Sequence, residues 1–480
     1  MNMSIPMESV IALLPEMIVA TFGCLVLLFD LVLPRGRKSP LAWFSLAGVA
    51  LAAYATWRLS SQTISVFADT FQVDPYSNFF KLVFYVIVVL TVLMSRAYMQ
   101  QDRIHIGEFY HFVLLVLLGM MVMVSATDLM TVYMGLELVS ICLYVMAALK
   151  RYDSRSTEAG LKYFILGSFS SAVLLYGMSL VYGVTGTTNL AAIGAFLSQG
   201  ETNSAATVGL ILMVVGLAFK VAAAPFHMWA PDVYEGSPTP ITAFMSVGPK
   251  AAAFAVTLRV LLEAFGGMKS DWEAILIVLA VLTMAVGAVL ALVQTSIKRM
   301  LAYSSVGHAG YALIGVVVGD SLGTFAVMYY LAVYAVMNLG AFGVLIMLRS
   351  AGLKGEELDD YKGLSRTHPW AALFMLIFMF SLAGIPPTAG FIAKLYIFMS
   401  AVNAGHIYLA VAGALLAAVS AFYYIRVIVM MYMKEPEAQQ ELTLTTGLKV
   451  ALVFSMLFVL ILGVYPEPLA NYAQLSILQF

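Results

Sequence analysis

The chain has 480 residues, 62% of them hydrophobic and 11% charged, with a formal net charge of −1. Soluble domains carry about 25% charged residues, so this composition excludes a soluble globular enzyme and describes an all-α polytopic membrane protein. No polybasic run offers a footprint for nucleic acid. Cys24 and Cys142 stand alone, with no CxxC or Cys/His cluster, which excludes iron–sulfur and structural zinc sites.

Apolar runs long enough to cross about 30 Å of hydrocarbon number about fourteen, at 10–33, 40–60, 76–97, 108–124, 127–149, 158–183, 206–230, 239–263, 273–295, 300–319, 323–349, 369–403, 406–433 and 447–465. The first lacks a basic flank and continues to Val32, so it is expected to remain as a span and not to be cleaved. The longest polar stretch, 350–369, is too short for an extramembrane domain. Basic residues cluster after alternate spans: Arg35, Arg37 and Lys38; Arg96 and Arg103; Lys150, Arg151 and Arg155; Lys298 and Arg299; Arg349, Lys354, Lys362 and Arg366; and Lys434. Positive charge stays in the cytoplasm, so these loops are expected inside and both termini on the periplasmic side.

Span 7 contains FKVAAAPFHMWAPDVYEGSPTP, from Phe219 to Pro240. Pro225 has no N–H, which frees the carbonyl of Val221 and breaks the helix. Such a break is tolerated in a bilayer only against protein or a wet cavity. Span 12 has the same character, in FMFSLAGIPPTAGFIAKLYIF, with Pro386 and Pro387 at the break and Lys394 about two turns beyond. The two lie five positions apart in the order of spans, an odd number, so the broken segments run in opposite directions. Two inverted five-helix repeats, spans 4–8 and 9–13, account for this, and such repeats place ion sites at broken helices. The expected division is 1–104, 105–263, 264–433 and 434–480. The competing explanation is that Pro and Gly are common in membrane helices.

Charges inside these spans are costly, about 2.5–3.5 kcal/mol each on insertion scales. Glu137, in TVYMGLELVSICLYVM, lies too deep to reach water. Lys220 sits just before the first break, Lys250 is central in span 8, and Lys394 is in the second half of span 12. Lys162 lies about one turn from a helix end, where a snorkelling side chain is an equal explanation. His227 follows the break and suits either a structural or a conducting role. His308, in LAYSSVGHAGYALIG, suits either helix packing or a hydrated path. Lys81, Arg259 and Arg426 lie nearer helix ends and are expected to snorkel, and Asp232 and Glu235 to sit in a solvated loop.

Lysine is the side chain whose pKa moves most readily on burial, and a neighbouring carboxylate opposes that movement. Glu137 close to Lys220 would act as a switch, with Lys250 and Lys394 receiving the proton in turn. Moving one charge against 100 mV costs about 2.3 kcal/mol, and a shift of two pKa units is worth about 2.7 kcal/mol. Opening one pair is therefore a sufficient lever. A pair of haem-ligating histidines, His227 and His308, is the one redox alternative, testable by a Soret band.

AAAPFHMWAPDVYEGSPTP, KRMLAYSSVGHAGYALIG and GIPPTAGFIAKLYIF resemble the antiporter-like membrane subunits of proton-translocating NADH:quinone oxidoreductase (respiratory complex I). The likeness covers about residues 105–433. It implies fourteen helices with the two inverted repeats and broken helices 7 and 12. It implies that Glu137 is the helix 5 glutamate, Lys220 its lysine partner on broken helix 7, and Lys162 the helix 6 lysine beside that pair. Lys250 would be the central lysine of helix 8 and Lys394 that of broken helix 12, with His227 and His308 near the hydrated axis. It further implies a non-redox subunit of a translocating enzyme with no cofactor of its own. Flavin and iron–sulfur clusters would lie in partner subunits, M-type and K-type neighbours would flank this chain in the bacterial inner membrane, and lipids and protons would be its other partners. A subunit of a multisubunit Na⁺(K⁺)/H⁺ antiporter is the alternative, distinguished by cation-dependent proton flux without NADH.

Overall fold

The structure is a computed structural model that describes residues 6–34, 38–102, 107–199, 203–350, 355–436 and 445–478. Arg35, Arg37, Arg103 and Lys354, used above for orientation, lie outside the described residues. α1 (Met7–Ala12), α2 (Leu14–Val32) and α3 (Ser39–Arg58) come first. A two-stranded antiparallel hairpin, β1 (Ile64–Val66) and β2 (Phe71–Val73), interrupts an otherwise helical chain. Then follow α4 (Pro75–Gln101), α5 (Glu108–Ser125), α6 (Leu129–Ala147), α7 (Ser154–Thr185) and the short α8 (Leu190–Leu197). α9 (Ser204–Lys220) and α10 (Trp229–Gly236) flank the first break, and α11 (Thr239–Met245) and α12 (Gly248–Arg259) come next. α13 (Lys269–Leu292), α14 (Ile297–Val318), α15 (Ser321–Ser350) and α16 (Leu364–Thr367) lead to the second break between α17 (Pro369–Ala383) and α18 (Ala389–Asn403). α19 (Ile407–Met433), α20 (Thr446–Val464) and α21 (Glu467–Leu475) close the chain.

Among the described residues, 12 helical stretches are long and apolar enough to cross a membrane; α9, α17 and α18 are apolar but shorter, because breaks cut them. α15 is buried on every side and α14 nearly so, whereas α2, α19 and α20 bury only about a third of their surface. Lipid tails are as apolar as leucine, so these helices gain from close packing rather than from exclusion of water. Gly287 of α13 faces Gly307 of α14 closely enough that an added Cβ would lie 2.3 Å from the Gly307 nitrogen. That approach lets α13 and α14 run together along the interior.

Several sequence-based expectations change. Span 8 is not one helix, because Ser246 and Val247 separate α11 from α12 and a π-turn covers Val260–Ala264. The reason is Pro249, which lacks an N–H and cannot accommodate the carbonyl four residues earlier. Lys81 and Arg259 do not snorkel. Lys81 is fully buried and pairs with Glu16 at 2.7 Å, and buried Arg259 pairs with Asp74 at 2.7 Å and Glu263 at 3.1 Å. Arg426 donates to the Leu292 carbonyl at 2.8 Å and to that of Gln294, capping the end of α13. Asp232 and Glu235 lie in α10 and pair with Arg299. Apart from Glu263, one turn from Arg259, the partners come from distant parts of the chain, and position along one's own helix does not reveal them.

At the end expected to be cytoplasmic, Asp102 bonds Lys150, and Arg349 lies 3.3 Å away. Burial pushes the Asp102 carboxyl up, but the hydrogen bond and charge of Lys150 and the charge of Arg349 outweigh it and leave it lowered. A depressed carboxyl stabilises the fold above its unfolded pKa, and the link is lost as pH falls through its lowered range.

The Lys81–Glu16 pair yields a direct test. Lys81→Met strands a buried carboxylate and is expected to cost about 3–5 kcal/mol, read as lost assembly and earlier thermal unfolding in detergent. Adding Glu16→Gln is expected to recover most of that loss, since the stranded charge is then gone.

Candidate functional site

Protein groups hold the first break at several points. Ala222 takes a left-handed φ of 59°, a conformation a non-glycine residue keeps only where its surroundings enforce it. The amide of Ala224 donates to Thr283 Oγ1 at 2.9 Å. Trp229 opens α10 and donates its Nε1–H to the Phe219 carbonyl at 3.0 Å, with its ring stacked 4.6 Å from Tyr163. These contacts fix the end of α9, and so the origin of the Lys220 side chain.

Lys220 Nζ donates to Ser140 Oγ at 2.9 Å and Ser171 Oγ at 3.0 Å. Glu137 stands three residues before Ser140 on α6, on the same helix face, and its buried Oε1 has no hydrogen-bond partner among the described residues. The expected Glu137–Lys220 ion pair is therefore not closed: no carboxylate pairs with Lys220 among the described residues, and two hydroxyls take its place. No hydrogen bond or ion pair joins Lys162 to Glu137 or Lys220 among the described residues. The Lys162 side chain is 43% exposed and pairs with Glu158 at 2.8 Å and Asp232 at 3.1 Å, because its face of α7 turns toward α10. His227 is half-buried within the break, with Nδ1 unpartnered among the described residues.

Further along, α14 presents Ser304, Ser305, His308 and Tyr311 on neighbouring positions of one helical face. Lys250, in the first turn of α12 after the third break, is buried and donates to the Ser305 carbonyl at 3.0 Å and its hydroxyl at 2.8 Å. His308 bonds the Tyr330 hydroxyl through Nδ1 at 2.6 Å and the Tyr424 hydroxyl through Nε2 at 3.1 Å. Tyr424 also bonds the Ser304 hydroxyl. Lys394 donates to the carbonyls of Leu382 and Ala383, both at 2.9 Å, and lies 5.0 Å from the centre of the Tyr311 ring. Those carbonyls end α17, where a cation complements the helix dipole.

The structure thus gathers Lys250, His308 and Lys394 along α14, sets Lys220 at the first break, and leaves Lys162 outside. The partners Ser140, Ser171, Tyr330 and Tyr424 carry no signal in the sequence, since single hydroxyls in apolar helices have no periodicity. Ser304 and Ser305 were legible beside His308. Gly384 was legible only as a glycine before Ile385-Pro386; its φ of +85° turns α17, and a Cβ there would meet Lys394 Cδ at 2.9 Å. No group of three or more His, Cys, Asp or Glu able to hold a metal occurs among the described residues.

One contrast organises these cations. Lys81 and Arg259 each have a buried carboxylate within 2.7 Å. Lys250 and Lys394 are comparably enclosed and Lys220 is partly buried, yet neutral hydroxyl and carbonyl oxygens alone hold them among the described residues.

A multi-pass helical bundle with interrupted helices and lysines solvated only by dipoles defines a class of ion-handling membrane protein. The profile of the family described as NADH:quinone oxidoreductase/Mrp antiporter, TM, matches residues 126–420, and the chain belongs to that family. It is 48% identical to NADH-quinone oxidoreductase subunit N of Trichlorobacter lovleyi over 468 residues, 97% of this chain and 96% of that one. It is 47% identical to NADH-quinone oxidoreductase subunit N 2 of Rhizobium meliloti, covering 97% of both. Within the family the chain groups with subunit N. Among solved structures, a chain of respiratory complex I from Thermus thermophilus with bound aureothin superposes with a TM-score of 0.82 at 33% identity, over 95% of this chain and 98% of that chain. A chain of the Mrp complex from a Dietzia species superposes at 0.86, over 98% and 97%, but at 21% identity, which speaks for the fold alone.

Gly384→Ala tests the second break. Left-handed backbone costs an L-residue about 1–2 kcal/mol, and the new methyl displaces Lys394 from the α17 carbonyls. The expected result is a lower thermal midpoint together with reduced proton translocation; a variant with parental values for both would show that the turn and the lysine are independent.

Proposed function

We propose that this chain is a proton-translocating membrane subunit of NADH:quinone oxidoreductase, moving protons along Glu137, Lys220, Lys250, His308 and Lys394. The observation that carries the reading is that Lys220, Lys250 and Lys394, inside the bundle, have no carboxylate partner among the described residues. A cation held only by dipoles is the kind of charge that a nearby carboxylate can stabilise or release, and Glu137, with its unpartnered oxygen, stands one helical turn from the Ser140 ligand of Lys220. His227 and Lys162 flank the cytoplasmic approach in this reading, and the Ser304–Tyr424–His308–Tyr330 network sits on the α14 face that also carries Ser305, the Lys250 ligand, and Tyr311, beside Lys394. The chain itself carries no redox group, and the energy comes from quinone reduction in partner subunits.

The same reading assigns fourteen crossings, counting each interrupted helix once, with both termini periplasmic in the bacterial inner membrane. It divides the chain into an N-terminal section, 1–104, two inverted five-helix units, 105–263 and 264–433, and a final section, 434–480. M-type and K-type subunits are the proposed neighbours. The antiporter alternative has the shared fold in its favour, but the relatives at 42–48% identity carry the subunit N name.

In inverted vesicles containing the assembled complex, Lys220→Ala is expected to reduce NADH-driven proton uptake sharply, measured by dye quenching against quinone reduction. Undiminished proton uptake by an assembled Lys220→Ala complex would remove Lys220 from the path. Proton flux that requires Na⁺ or K⁺ and no NADH would favour the antiporter.

A further inference from the structure

The proposed path leaves unexplained how an event at Lys220 reaches Lys250. We infer that α10 and the first turn of α14 form a clamp coupling these two sites, with Arg299 as its positioning residue; this rests on the proton-path reading above.

Each end of α10 is tied to one of the two lysine sites. At its start, the Trp229 indole bonds the carbonyl of Phe219, the residue before Lys220. Its far end is gripped by two consecutive cations of α14. Arg299 Nη1 reaches Asp232 Oδ1 at 3.1 Å and Glu235 Oε2 at 2.5 Å. Lys298, with only 3% of its side chain exposed, donates to the carbonyls of Glu235 at 3.0 Å and Ser237 at 2.5 Å. These carbonyls end α10, where cations are favoured. Seven residues beyond Lys298, about 10 Å along the same helix, Ser305 accepts both hydrogen bonds of Lys250. A rigid helical segment therefore runs from the Lys220 break to the Lys250 ligand with a bonded joint in the middle.

Exposed ion pairs contribute little on their own, and this joint differs in two respects. Lys298 is buried, and Asp232 is shared. Asp232 Oδ2 meets Lys162 of α7 while Oδ1 meets Arg299 of α14, so α10 is bridged on both sides. Among the described residues, the other charged groups facing the joint include Glu158, which pairs with Lys162, Glu356, 3.9 Å from Lys298, and Lys150 and Arg349, whose charges also act on Lys298. Lys162 thus bears on the path through Asp232 and not through Glu137.

The test uses the assembled complex in native membranes, with Met228→Cys as a reporter at the break, where Met228 is 75% exposed, in a Cys24→Ser background. Arg299→Gln is expected to raise the labelling rate of Met228→Cys by an impermeant maleimide about fivefold, the low end of a coupling between sites, and to lower protons moved per NADH oxidised. Glu235→Gln added to Arg299→Gln is expected to change neither quantity further, since the Glu235 carboxylate pairs with Arg299. Arg299→Lys, which keeps the charge, is expected to recover part of both and serves where Arg299→Gln fails to assemble. An unchanged labelling rate, or losses from Arg299→Gln and Glu235→Gln that multiply, overturns the clamp. If Lys220→Ala abolishes pumping while labelling stays flat, the clamp falls and the path stands. If Lys220→Ala leaves pumping intact while Arg299→Gln still loosens the break, the clamp stands and the path falls.

Discussion

An ammonium enclosed among apolar helices must be solvated by oxygen, and the placement of oxygen donors governs this structure. Helices satisfy most of their own carbonyls, so a continuous helix has few to offer, the Ser305 carbonyl of α14 being one that is shared with Lys250. The chain supplies them by interrupting helices. The end of α17 offers the carbonyls of Leu382 and Ala383 to Lys394, and the break before α12 puts Lys250 in a first turn, facing Ser305. Lys220 stands at the end of α9, where hydroxyls from α6 and α7 meet it. Broken backbone and buried charge are two sides of one arrangement.

Carboxylates are spent elsewhere. Glu16 and Asp74 neutralise Lys81 and Arg259 near the hairpin, and Asp102 neutralises Lys150 at the opposite end. Those pairs lock neighbouring helices together, and removing either member leaves the other stranded. On the internal axis no such lock occurs among the described residues. A charge solvated by dipoles can be given up without leaving a bare counter-charge behind, which is what separates the proposed conducting lysines from the structural ones.

α14 links these features. It is nearly wholly buried, packs against α13 through facing glycines, and carries on one side Ser304, Ser305, His308 and Tyr311. Its first turn holds the end of α10. One helix therefore touches the environment of all three buried lysines: Lys220 through α10, Lys250 through Ser305, and Lys394 through Tyr311.

The sequence by itself determined the membrane class, the positions of nearly every span, both proline breaks and the deep charges Glu137, Lys220, Lys250 and Lys394. Hydrophobic length, a missing N–H at proline and the cost of a charge in hydrocarbon are local properties, readable along one strand of text. The interruption before α12 went unread in a continuous apolar span, although Pro249 carries its signal. Pairing was not legible. Arg259 and Lys81 resemble snorkelling residues until Asp74, between β2 and α4, and Glu16 of α2 meet them, and Lys162 resembles a member of the Glu137 site until α10 brings Asp232 to it. The hydroxyls that hold Lys220 and His308 are single residues in apolar helices. Only tertiary packing decides which buried charge receives a carboxylate and which receives a dipole, because that choice depends on helix rotation and neighbours, which no periodicity along the chain encodes.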